Sequence, residues 1–165
     1  MKKIFTSLVI LLLVGALAGC SLFAPEEKEF SQNGMTVTLD ESFTKSENVA
    51  VQMYLLSNDH IFTGNGESKS TLADYGHTNL TLHRYTELVL ASVNKKATIN
   101  TYDEDVTFKY AYYEANVEGT EFAYMLVTME GDSKFYSMNF GCLKKNFNDD
   151  TKEKYMEWAK TIKVD

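Results

Sequence analysis

The run Thr120-Glu-Phe-Ala-Tyr-Met-Leu-Val-Thr-Met129 decides the fold. Taken as a strand, it places Phe122, Tyr124 and Leu126 on one face and Ala123, Met125, Val127 and Met129 on the other. A strand wetted on one side alternates apolar with polar; one that is apolar on both sides needs a layer above and a layer below. The neighbouring stretches Val106–Val117 and Lys134–Cys142 have the same extended, aromatic-rich character, with turns at Asn116–Gly119 and Glu130–Ser133. A sandwiched antiparallel sheet is therefore expected at the centre of the domain.

Working outward, Asn33-Gly34 is a two-residue hairpin signal between Glu29–Gln32 and Met35–Leu39, where Met35, Val37 and Leu39 share a face. Val49–Leu56 and His60–Thr63 read as two more strands, and Ala97–Tyr102 as a weaker one. From Gly64 to Asn79 the chain is rich in Gly, Ser, Asn and Thr, which predicts a long loop with one helical turn near Leu72–Tyr75. Thr81 is placed to cap a helix over Leu82–Asn94, whose Tyr85, Leu88 and Val89 form an apolar stripe. Lys95 and Lys96 follow, where cations favour a helix C-terminus. A closing helix carries Tyr155, Trp158, Ala159 and Ile162 on one stripe, with Asp150 and Glu153 spaced as a capping box. The fold class expected is α+β: a central antiparallel sheet of about six to seven strands with helices packed on both faces, an α/β/α sandwich.

The first residues carry a different message. Lys2 and Lys3 precede an apolar run from Ile4 to Ala18, too short for the roughly 20 residues of a spanning helix. Leu17-Ala18-Gly19-Cys20 then resembles the lipobox of bacterial lipoproteins. That resemblance implies cleavage between Gly19 and Cys20 and attachment of diacylglycerol, with further acylation by a fatty acid such as palmitate, at Cys20. Each buried CH₂ contributes about 0.8 kcal/mol, and more than one acyl chain is needed for stable anchoring. The expected organisation is a signal peptide at 1–19, a lipidated cysteine and short tether at 20–27, and one domain at 28–165. At about 3.3 Å per residue the tether reaches roughly 25 Å, so the domain would sit near the membrane.

Composition narrows the partners. Without residues 1–19, 14 basic side chains face 23 acidic ones, a formal net charge of −9. No basic cluster offers phosphate contacts, so nucleic acid is not an expected partner, and neither is a polybasic grip on anionic lipid. With Cys20 lipidated, Cys142 is the one remaining thiol, so no internal disulfide is expected, and its place among Tyr136, Met138 and Phe140 makes it a buried small hydrophobe.

The order of elements resembles the Mog1/PsbP-like superfamily, including small lipoproteins of the DcrB kind. The residues that carry this are the opening strand Gly34-Met-Thr-Val-Thr-Leu39, the helix with Tyr85-Thr-Glu-Leu-Val-Leu90, the aromatic antiparallel strands, and the closing Trp158-Ala-Lys-Thr-Ile-Lys-Val164. The resemblance covers about residues 28–165. It implies a central antiparallel sheet with helices on both faces and a binding or accessory role (Ran binding, photosystem assembly and envelope functions occur among members). It brings no shared catalytic residues.

Chemistry is sparse. His60, His77 and His83 lack the spacing of a zinc helix, and Asp103-Glu104-Asp105 lacks the alternating ligands and glycine of a calcium loop. Gly64-Asn-Gly66-Glu-Ser-Lys69-Ser70 has serine where a phosphate loop needs glycine, and no Gly-x-Ser-x-Gly elbow occurs. No metal, cofactor or catalytic residue is expected, and the chain is not expected to be an enzyme. The candidate binding patch is Tyr110, Tyr112 and Tyr124, since tyrosines serve surfaces with one wet end. The function expected is a lipid-anchored, extracytoplasmic, non-enzymatic interaction or accessory module of the cell membrane with an envelope or secreted protein as partner. The alternative is small-ligand binding in a cleft between the sheet and the 64–79 loop.

Overall fold

A computed structural model of the chain describes residues 26–47 and 50–165. Two of its hairpins are set by two-residue turns. Asn33 and Gly34 have φ of 53° and 82°, and Glu118 and Gly119 have 52° and 86°. Positive φ at both central positions is the turn whose twist matches paired strands. The first turn joins β1 (Glu27–Gln32) to β2 (Met35–Asp40), with Gln32 opposite Met35. The second joins β7 (Thr107–Val117) to β8 (Thr120–Glu130), with Val117 opposite Thr120.

The remaining strands are β3 (Thr44–Lys45), β4 (Met53–Leu56), β5 (Ile61–Ser68), β6 (Asn100–Asp103), β9 (Lys134–Leu143) and β10 (Lys163–Val164). They form a seven-stranded antiparallel sheet in the order β3-β4-β5-β9-β8-β7-β6, as expected, and a second sheet, β1-β2-β10, that was not. The second sheet closes through Thr161, whose Oγ1 accepts from Thr38 N at 3.0 Å and donates to Thr38 O at 3.2 Å. That short C-terminal strand carries too few residues to show a period in sequence.

Residues 64–79 are not one long loop. β5 runs on through Gly64 and Gly66 to Ser68, and α1 (Lys69–Asp74) follows directly. The glycines that suggested a loop are in the strand because neighbours lie over them. A Cβ at Gly64 would meet Met35 Sδ at 2.8 Å, and one at Gly66 would meet Tyr136 Cε1 at 2.8 Å.

α2 (Leu82–Ser92) begins where Thr81 Oγ1 accepts from Arg84 N at 3.3 Å. It ends in a Schellman motif: Asn94 is left-handed (φ 55°), Asn94 N donates to Ala91 O and Lys95 N donates to Leu90 O, both at 2.9 Å. α3 (Asp149–Lys160) is capped by Asn148, whose Oδ1 accepts from Thr151 N at 2.9 Å. Asp149 and Asp150 therefore lie inside the first turn, where they complement the helix dipole.

The two helices cover opposite faces of the large sheet. α3 and the second sheet bury the centre of one face: Phe43, Phe62, Met125, Val127, Phe140, Cys142 and Tyr155 are all at most 1 % exposed. α2 covers part of the other. Tyr85 stacks on Phe135 (centroids 4.9 Å apart), Thr86 Oγ1 meets Thr128 Oγ1 at 2.7 Å, and Leu90 packs on Ala111 and Leu126. Thus β8 has a layer on each side at Leu126 and Thr128, while its α2-side residues Tyr124 and Phe122 lie in neither buried cluster.

Candidate functional site

Strand register turns the α2-side face into a grid of rows. Lys109, Thr128 and Ser137 lie in one row and Ala111, Leu126, Asn139, Thr63 and Tyr54 in the next. Tyr113, Tyr124, Gly141, Ile61 and Leu56 follow, and Ala115, Phe122 and Leu143 come last. The helix anchors fall in the rows up to Leu126. Beyond them, Tyr54, Ile61, Phe122 and Tyr124 are half-buried and belong to neither buried cluster of the described residues.

Aromatic rings dominate this uncovered half. Tyr113 and Tyr124 stack with centroids 5.1 Å apart and planes at 16°, and Phe122 follows at 6.1 Å from Tyr124. Tyr124 leans across β9 because residue 141 is glycine: a Cβ there would fall 2.5 Å from Tyr124 Cε1. Tyr113 reaches over β8, and its hydroxyl donates to Asn139 Oδ1 at 3.0 Å, while Asn139 Nδ2 points to Thr63 Oγ1 at 3.5 Å. Burial pushes the Tyr113 and Tyr124 phenols above the usual tyrosine value. Both rings are therefore neutral at physiological pH, and the surface they make is uncharged, aromatic and edged with amide and hydroxyl groups.

The expected patch of Tyr110, Tyr112 and Tyr124 is divided by the sheet. Tyr110 pairs with Val127 and Tyr112 with Met125, which places both on the α3 side, where they pack against the main core. Tyr124 faces the opposite way, beside Tyr113. The missing signal was the turn: a two-residue loop at Glu118-Gly119 forces Tyr113, not Tyr112, opposite Tyr124. Tyr54 and Asn139 complete the surface from distant strands, and nothing local in the sequence marks them.

The histidines stand apart. His60 sits on the α3 side among Phe43, Tyr155 and Trp158, with its Nδ1 3.0 Å from the Tyr155 hydroxyl. The same hydroxyl bonds the Cys142 thiol, which is free and buried, and burial raises its pKa. A protonated, sealed thiol is a poor nucleophile. His83 pairs with Glu87 one turn on, at 3.6 Å. Among the described residues no three His, Cys, Asp or Glu side chains are grouped to hold a metal. Two small cavities do border the 64–79 segment, of about 260 and 240 Å³, lined by Leu72 and His77 in common. Both are smaller than the roughly 300–1,000 Å³ of ordinary ligand pockets. Gly19 and Cys20 lie outside the described residues, and among those described no helix is long and apolar enough to cross a membrane.

No family model matches the chain, and no curated protein does. Solved structures do. A protein of Bacteroides thetaiotaomicron VPI-5482, solved at 1.50 Å, superposes with a TM-score of 0.57 at 14% identity over 84% of this chain. The match takes in 48% of that protein, so this chain spans about half its length. The cyanobacterial PsbP (CyanoP) of Synechocystis sp. PCC 6803 superposes with a TM-score of 0.50 at 9% identity, over 86% of this chain and 94% of that one. The fold is PsbP-like. LpqN of Mycobacterium tuberculosis, described as involved in cell envelope biogenesis, matches at a TM-score of 0.44 and 8% identity over 84% and 90% of the two chains. At such identities a PsbP-like likeness concerns the backbone alone, and the function has to come from the site.

Proposed function

We propose that this chain is an extracytoplasmic lipoprotein, held to the membrane through Cys20, whose domain works as a non-enzymatic interaction or accessory module. Its partner, an envelope or secreted protein, docks on the uncovered half of the sheet. The observation that carries this is the surface of Tyr54, Phe122 and Tyr124, aromatic, uncharged and outside the helix cover, with Tyr113 stacked on Tyr124 at its border with the α2 cluster. Tyrosine-rich surfaces of this kind supply large contact area at low entropy cost. The tether is supported by Leu17-Ala18-Gly19-Cys20 following a short apolar run.

Two measurements test it. Native mass spectrometry of the protein extracted gently from its own membrane should show the lipid mass on Cys20 and a second polypeptide. Tyr124→Ala should release that polypeptide while Tyr110→Ala, on the other face, retains it. A lone chain, or equal loss from both variants, contradicts the docking surface. Cys20→Ala recovered in the membrane at the processed mass contradicts the anchor.

A further inference from the structure

The C-terminal turn of α2 and the segment leading into β6 enclose a groove of about 500 Å³. Its walls are Leu90, Ala91, Ala97 and Ile99, with Lys95 and Lys96 on the lip. Its size falls within the roughly 300–1,000 Å³ range of small-molecule sites, and the lining is mostly apolar.

The charges on the rim are unequal. Nearly every other basic side chain in this acidic chain is engaged: Lys69 with Glu130, Lys144 with Glu114 and Glu121, Lys152 with Asp149, Lys160 with Glu157. The ammonium groups of Lys95 and Lys96 make no hydrogen bond, ion pair or ring contact with any described residue. They are not needed to satisfy the helix end either, because the backbone N–H groups of Asn94 and Lys95 already close it. The one acid at the groove, Glu87, is held by Arg84 and lies 3.6 Å from His83. An apolar trough with two unengaged cations at its mouth complements a molecule with an apolar tail and a negative head. A neutral amphiphile would leave the cations unused, and a cationic one would be repelled.

We propose that this groove binds an anionic amphiphile as a monomer, with its acyl chain along Leu90, Ala97 and Ile99 and its carboxylate or phosphate head on Lys95 and Lys96. The site is distinct from the aromatic surface and does not depend on the protein-docking role.

The test uses the full chain in lipid nanodiscs and a dodecyl phosphate carrying a photoreactive diazirine at the end of its chain, with labelled peptides mapped by mass spectrometry. Labelling should concentrate on the peptide containing Leu90–Ile99. It should fall by about tenfold, a difference of 1.4 kcal/mol, in Lys95→Glu/Lys96→Glu and again in Ala91→Trp, which fills the trough from an exposed position. A trimethylammonium probe of the same chain should label that peptide about tenfold less. Tyr124→Ala should leave the labelling intact, which separates this site from the docking surface. Labelling without focus on that peptide, equal labelling by the cationic probe, or no change in either groove variant overturns the proposal.

Discussion

On one face of the seven-stranded sheet, Phe62, Phe140, Tyr155 and Trp158 pack ring against ring beneath α3, all nine-tenths or more buried. On the other, Tyr124 and Phe122 run on from Tyr113, which borders the α2 cluster, past the reach of α2, and all three remain half-buried. The same residue types thus do two different things. Where a second layer seals the rings, they exclude water and supply stability. Where the layer stops, they stay together as a preformed apolar surface, the kind that marks an interaction site when it is contiguous. The difference comes from the second sheet: α3, at 12 residues, shares its face with β1-β2-β10, whereas α2, at 11, covers the rows from Phe135 to Leu126 with no such sheet beside it.

Mutations can break this contrast or sharpen it. Phe140→Ala on the sealed face should cost about 3–5 kcal/mol in urea unfolding, as large core truncations do. Phe122→Ala should cost less than half of that, and equal costs would mean that the open rows are core. Gly141→Ala comes next. Its Cβ would fall 2.5 Å from the Tyr124 ring, so the ring must move, at about 1–3 kcal/mol. Adding Tyr124→Ala should recover much of that loss, and simple additivity would show that the two residues do not meet. Thr86→Val, under α2, leaves the buried Thr128 hydroxyl without its partner and should cost about 1–2 kcal/mol.

The smallest effect concerns pH. Burial, with a contribution from Lys154, holds the His60 pKa below 6.5, against opposing effects of Asp59 and Asp40. The unfolded chain therefore takes up the proton first as pH falls below about 6.5, so stability declines with falling pH through that window. His60→Gln should flatten that part of the stability profile, and an unchanged slope would assign it to other groups.

Much of the architecture was legible. The Asn33-Gly34 turn, the apolar stripes of α2 and α3 and the two-sided β8 all announce themselves because local pattern and tertiary burial agree there. The extent of β5 was hidden because Gly64 and Gly66 yield their space to Met35 and Tyr136, and no local pattern reports a distant neighbour. The second sheet was hidden because β10 has two residues. At the candidate site the residue type was legible and the face was not. Tyrosines stood out, but their grouping depends on register, which the Glu118-Gly119 turn sets and a looser turn would have shifted. The α2 groove escaped for a related reason. Lys95 and Lys96 are explained well enough in sequence by the helix dipole, and only the closed Schellman motif shows that they have no backbone to serve.

The central claim is that the open aromatic half of the sheet is occupied when the protein is in its own membrane. Hydroxyl-radical footprinting of native membranes against the purified chain tests it most directly. Tyr54, Phe122 and Tyr124 should be protected in the membrane sample, while Tyr75, 79 % exposed elsewhere on the surface, reacts equally in both. Equal reactivity of Tyr124 and Phe122 in the two samples would contradict the account.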